Sequence, residues 1–205
     1  MFQRCLLLAI LLSVAGCGKP ASDAPATNEQ VLIRGELTEG SYRDGATKEL
    51  AEAQAALVDP GLTEERLDKH LSRIEAINGL ANKLNVDKSK LREPELMSTL
   101  GAMYVRKAGF HSDNGEQAGA LASSGFRFLD RAITKYPDDI TARINRGMTC
   151  ANVPEFMNKT EVARDDLRFV VESPAFAKLT PELHARVKSV LHEVEGRLAR
   201  AAAQN

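Results

Sequence analysis

The stretch PELMSTLGAMYVRKAGFHSDNGEQAGALASSGFRFLDRAITKYP, Pro94 to Pro137, decides the fold. Proline is tolerated in a first helical turn, so a helix is expected to open near Pro94 and run through Leu96, Leu100 and Tyr104 to Gly109. The next carries Ala118, Leu121, Ala122, Gly125, Leu129, Ala132, Ile133 and Tyr136 until Pro137 stops it. Apolar residues recurring at spacings of three and four share one helix face, and that face must be buried against a neighbour.

The same period extends in both directions. Upstream, Leu50, Ala53, Leu57 and Val58 mark a helix from about Ala46 that ends before Asp59-Pro60-Gly61. Thr63 can cap the following helix, whose stripe is Leu67, Leu71, Ile74, Ile77, Ala81 and Leu84. Downstream come one helix with Ile144, Gly147, Met148 and Ala151, and another with Val162, Ala163, Leu167, Val170 and Val171 that stops at Ser173-Pro174. The last starts at Thr180-Pro181-Glu182 and holds Leu183, Val187, Val190, Leu191, Val194 and Leu198. Its charged residues Arg186, Lys188, Glu193, Glu195, Arg197 and Arg200 mark it as a solvated cap. Residues 46–205 therefore read as an all-α domain of about six to seven helices. Val31 to Leu37 is apolar around Arg34 and Gly35 and fits a strand or a packed extended arm equally.

Leu100-Gly101 and Tyr104 on one helix, followed by Gly125, Leu129, Ala132 and Pro137 on the next, resemble the small-large-small order of a tetratricopeptide repeat. A second copy runs Gly147, Cys150, Ala163, Leu167, Val170 and Pro174. The resemblance covers about Pro94 to Pro174 and implies antiparallel helical pairs stacked as a short solenoid. The family's usual period is 34 residues. Here Gly101 and Gly147 are 46 apart and Pro137 and Pro174 are 37 apart, so Phe110 to Gly115 and Asn152 to Asn158 must absorb insertions. Tryptophan is absent. Such scaffolds present an extended concave surface, and the family uses it for peptides or partner proteins, which implies binding rather than catalysis.

At the other end of the chain, Arg4 precedes the apolar core Leu6 to Val14, nine residues interrupted only by Ser13. That core is far short of the roughly 20 residues that span a bilayer as a helix. Its length and flanks match a cleavable export signal, residues 1–16. The tetrapeptide Val14-Ala15-Gly16-Cys17 resembles the lipobox of bacterial lipoproteins. The resemblance implies lipidation of Cys17, which would become the first mature residue. Gly18 in place of aspartate after it implies the outer membrane over retention at the inner one, and the expected location is a lipid anchor there with the body in the periplasm. Burial contributes about 0.8 kcal/mol per CH2, so one chain binds marginally while two or three hold a protein on its membrane. Residues 17–45 then form a tether and arm. Gly18 to Gln30 is rich in Ala, Pro, Ser, Asp and Asn without apolar periodicity, and its thirteen residues reach at most about 40 Å.

Charge and chemistry narrow the function. Lys plus Arg total 27 against 28 Asp plus Glu, which is not the basic footprint of a nucleic-acid binder. Of three cysteines, Cys5 lies in the signal and Cys17 at the lipobox, so Cys150 has no intramolecular disulfide partner. It reads as a small buried apolar residue on a helix face, or as the site of a dimeric disulfide. His70, His111, His184 and His192 show no metal-ligand spacing. His184 and His192 are turned about 80° apart on one helix, and no metal or cofactor is expected. Neither Asp138-Asp139 nor Asp165-Asp166 makes an acid–base pair, because adjacent helical residues point in different directions. Phosphate loops, the Gly-x-Ser-x-Gly elbow and His-Glu-x-x-His are missing, and no enzymatic activity is expected. Asn158-Lys159-Thr160 fits a glycosylation acceptor but reads as a loop. Arg143 and Arg146, three apart and on one face, are candidates with Arg106 for contacting an acidic partner, or they pair with Asp138, Asp139 or Asp165. The expected function is a membrane-anchored periplasmic adaptor that binds a protein partner in the bacterial envelope. The alternative is a small-molecule or lipid carrier with a pocket between helices.

Overall fold

The computed structural model describes residues 37–81, 83–84 and 92–204. The signal, Cys17, the tether and the arm before Leu37 lie outside the described residues. Within them the chain forms seven α-helices and no strand: α1 (Glu39–Leu57), α2 (Glu64–Ala81), α3 (Glu93–Phe110), α4 (Gly115–Lys135), α5 (Ile140–Ala151), α6 (Thr160–Glu172) and α7 (Pro181–Ala202). Two 3-10 turns, Glu155–Met157 and Pro174–Lys178, sit on either side of α6.

Caps set most of the boundaries. Asn114 accepts from Gln117 N at 3.2 Å, Asp139 from Ala142 N at 2.7 Å and Thr180 from Leu183 N at 3.4 Å. Each satisfies an N–H that a first helical turn would otherwise orphan. Thr63 accepts from Arg66 N at 3.3 Å, as its placement before α2 predicts. Two boundaries are displaced: the second helix stops at Ala81, short of the expected Leu84, which packs on the core from a following bend, and α1 begins at Glu39 and not near Ala46. Thr38 accepts from Ser41 N at 3.1 Å while Ser41 Oγ accepts from Thr38 N at 3.0 Å, a reciprocal capping box. Tyr42 in the added turns is buried, as is Ala46 at the expected start.

Consecutive helices run antiparallel, as the cross-helix pairs show. Between α1 and α2, Asp59 meets Arg66 and Glu49 meets Arg73. Between α2 and α3, Glu64 meets His111, Asp68 meets Lys107 and Glu75 meets Tyr104. In each set one number falls as the other rises. Between α5 and α6, Arg146 reaches Asp166 while Cys150 shares a core with Ala163.

α3 is the spine. From Leu96 to Met103 it carries no charge and is buried without a break, Ser98 and Thr99 included. Leu96, Leu100 and Met103 join Tyr42, Leu50, Leu67, Ile74 and Ile77 in one core. On the other side Val105 and Ala108 join Phe126, Leu129, Cys150 and Ala163. A third core gathers Ile144, Leu167, Val170, Phe176 and Val187. Full burial of a leucine or isoleucine contributes about 1.5–3 kcal/mol, so these shared cores, more than helix propensity, hold the stack together. α7 buries only Val187 and Val194, in keeping with a cap.

Glycine sets the spacing inside two of the pairs. A Cβ on Gly125 would lie 2.6 Å from Gly101 O and 2.6 Å from Val105 Cγ2. One on Gly101 would lie 2.6 Å from Leu129 Cγ and 2.7 Å from Gly125 O. α3 and α4 are therefore in backbone contact, a separation that any side chain would prevent. One pair on, a Cβ on Gly147 would meet Leu167 Cγ and Cδ2 at 2.9 Å. The architecture is all-α, built of stacked helical pairs.

Candidate functional site

Among the described residues, two of the polar clusters between helices hold a buried acid. The first lies between α5 and α6. Asp166 is fully buried. Its Oδ1 accepts from Arg143 Nη1 at 2.8 Å and Arg146 Nη2 at 3.0 Å, and its Oδ2 from Arg146 Nε at 2.6 Å. Arg146 also donates to Asp130 of α4 at 2.9 Å. Burial works against the charge on Arg146, but the bonds to Asp166 and Asp130 outweigh it and raise its pKa. The Arg143 guanidinium lies 4.1 Å over the Phe169 ring and donates to Pro137 O at 2.9 Å. Both arginines are thus turned inward, with side-chain exposures of 18 % and 17 %. Their partners are Asp166 and Asp130, and not the expected Asp138, Asp139 or Asp165. Asp139 caps α5, and Asp165 binds Arg164 at 2.8 Å on the surface. Arg106, the third candidate, is exposed with its guanidinium 5.7 Å from the Phe110 ring. The structure does not bring it into the Asp166 cluster.

The second cluster joins α1 to α2 and was not anticipated. Glu49 and Glu52 share a face of α1, and His70 and Arg73 share the facing side of α2. Arg73 Nη1 donates to Glu49 Oε2 at 3.3 Å and to Glu52 Oε2 at 3.4 Å. Glu49 is only 5 % exposed. Nδ1 of His70 is closed off from solvent and has no hydrogen-bond partner among the described residues. Burial lowers the His70 pKa against the pull of Glu52, with Arg73 adding to the depression. A ring nitrogen of His70 and one carboxylate oxygen from each glutamate all lie within 4.8 Å of one another.

The other histidines have structural partners or solvent. His111 pairs with Glu64 at 2.7 Å, His184 stacks on Phe176 with centroids 4.0 Å apart, and His192 is exposed. Arg197 Nη2 donates to Ala151 O at 2.8 Å, tying α7 to the carbonyl end of α5. Asn145 Nδ2 donates to Ser98 Oγ at 2.9 Å, a polar link between α3 and α5.

Cys150 is 2 % exposed, and burial, with Asp166 adding to it, pushes its thiol up to about 12. The thiolate is the nucleophile, so this residue is expected to resist alkylation at pH 8 until the chain unfolds. Peptide mapping after iodoacetamide across a urea series checks this. Labelling in the absence of urea would place Cys150 at an opening surface.

No family model, no curated protein and no solved structure matches the chain. No described helix is long and apolar enough to cross a membrane.

Proposed function

We propose that the chain is a lipid-anchored adaptor of the bacterial envelope, held through Cys17 at the periplasmic face of the outer membrane and binding a protein partner with its helical body. The observation that carries the binding reading is the architecture. Paired helices stacked on shared cores leave their outer faces free for contact, and neither polar cluster sets a nucleophile beside a base. Against the carrier reading, α3 and α4 approach closer than a Cβ allows, which leaves no room for a ligand between them. Phe156 is 82 % exposed on the turn after α5, an aromatic of the kind that anchors interfaces. Arg106 offers an exposed cation.

The anchor reading rests on Arg4, the apolar run and Val14-Ala15-Gly16-Cys17. Anchoring raises effective concentration toward partners on the same membrane without any new contact. A Cys17→Ser chain is expected to lose lipid attachment and most cellular function, while a soluble secreted body still binds its partner in vitro. Membrane fractionation, mass of the mature amino terminus and complementation measure it. Full complementation by the soluble form would reject the tethered adaptor, and an unmodified Cys17 in soluble wild-type protein would reject the lipoprotein.

A further inference from the structure

We propose that Glu49, Glu52 and His70 form a binding site for a divalent transition-metal ion of the zinc class, stapling α1 to α2. The donors are the right kind. Imidazole suits zinc and its neighbours, carboxylates are regular third ligands, and three protein ligands leave a position for water. They also stand close to where a metal needs them. Ligand atoms about 2.0–2.2 Å from a tetrahedral ion are roughly 3.4 Å apart, and these atoms already lie within 4.8 Å of each other. A small closing movement of side chains on two facing helices completes the set.

Two features of the cluster point to a cation. The solvent-excluded Nδ1 of His70 has no hydrogen-bond partner among the described residues, a polar atom of the sort that a native fold normally satisfies. Among the described residues, buried Glu49 has one cation against it, Arg73, which must also serve Glu52. Two carboxylates and a neutral imidazole carry a formal charge of −2. Arg73 offsets half of this and a divalent ion would offset all of it. The Arg73 contacts, at 3.3–3.4 Å, are longer than the 2.7–3.2 Å typical of N–H···O bonds. With its side chain 26 % exposed, Arg73 has a path out to water. It acts here as the placeholder that the metal displaces.

That role separates a metal site from a structural ion pair. Zinc titration of the full-length wild-type protein in detergent, by calorimetry, is expected to show one saturable site per chain, and cobalt in its place to give visible d–d bands. His70→Gln and Glu52→Gln, at partly exposed positions, are expected to fold and to weaken binding by at least about tenfold, the loss that even outer-shell partners of a metal cause. Arg73→Gln is expected to tighten zinc binding by about thirtyfold, the effect of removing a unit charge some 4 Å from a divalent ion in a water-like medium. Melting in EDTA verifies the fold of each variant. The absence of a stoichiometric site in the wild-type protein, or His70→Gln and Glu52→Gln variants that bind like wild type, would overturn the proposal. Weaker zinc binding by a folded Arg73→Gln would do so too, since it would make the arginine a support of the site and not its occupant.

Discussion

Reversing two charges on α5, Arg143→Glu with Arg146→Glu, is expected to unfold most of the α5–α7 half of the chain and not simply to silence a binding surface. On sequence alone the two arginines look like exposed cations, whose reversal costs little. Among the described residues they are the only cations within hydrogen-bond distance of Asp166, which is completely buried. Breaking a buried pair by removing one partner typically costs about 3–5 kcal/mol, because the remaining charge is left without compensation. Here both partners vanish and two carboxylates arrive beside a third. Domains are stable by about 5–15 kcal/mol in total, so the double variant should lie near or below its folding threshold at 37 °C. Thermal melts by circular dichroism measure it. Asp166→Asn in the reversed background should recover part of the loss, since it removes the stranded charge. A double variant that melts within a few degrees of wild type would show that the inward geometry at Asp166 does not persist in solution.

The helices themselves were legible because each carries a stripe at spacings of three and four and ends at a glycine, a proline or a cap. What the stripes concealed was the polar residues standing on them. Ala163, Asp166, Leu167 and Val170 occupy one helical face, and so do Ala46, Glu49, Leu50 and Ala53. Asp166 and Glu49 are therefore acids at core positions, a visible departure from binary patterning. Of the adjacent Asp165-Asp166 pair, Asp166 lies on the buried stripe and Asp165 faces solvent. Their compensating cations could not be found by local spacing. Arg73 is 24 residues from Glu49 in sequence, and Arg143 and Arg146 are 23 and 20 from Asp166. Only the antiparallel pairing brings them together. The same holds for His70, which becomes a ligand candidate once α2 is laid against α1. The start of α1 was missed for a different reason. Gly40 and Gly45 dilute the period there, and the boundary is set by the Thr38–Ser41 capping box and by Tyr42, an aromatic core residue in a turn with no leucine.

Gly125→Leu is the substitution with the plainest physical outcome, and its neighbour Gly119 supplies the control. Both glycines lie inside α4. Propensity alone favours replacing either, because glycine in a helix interior is about 1 kcal/mol worse than alanine. At Gly119 no atom lies within 4 Å of an added Cβ, so Gly119→Ala is expected to raise the melting temperature by a few degrees. At Gly125 the first carbon would collide with Gly101 O, Val105 Cγ2 and Val105 N at 2.6, 2.6 and 2.9 Å. Two of these atoms belong to the α3 backbone and cannot rotate away. Relief requires α3 and α4 to separate, and α3 also carries Leu96, Leu100 and Met103 in the core with α1 and α2. Overpacking usually costs about 1–3 kcal/mol, occasionally more, and a forced backbone separation belongs at or beyond the upper end. Even Gly125→Ala should destabilise, which reverses the sign that propensity predicts, and Gly125→Leu should lower the melting temperature by roughly 10 °C or more. Gly147→Ala is expected to fall between the two sites, since its contacts are side-chain atoms of Leu167 and Asp166 at 2.9–3.2 Å that can yield slightly. A Gly125→Ala melt above that of wild type would mean that α3 and α4 are not in backbone contact, and the small-large-small pairing of the helices would fall with it.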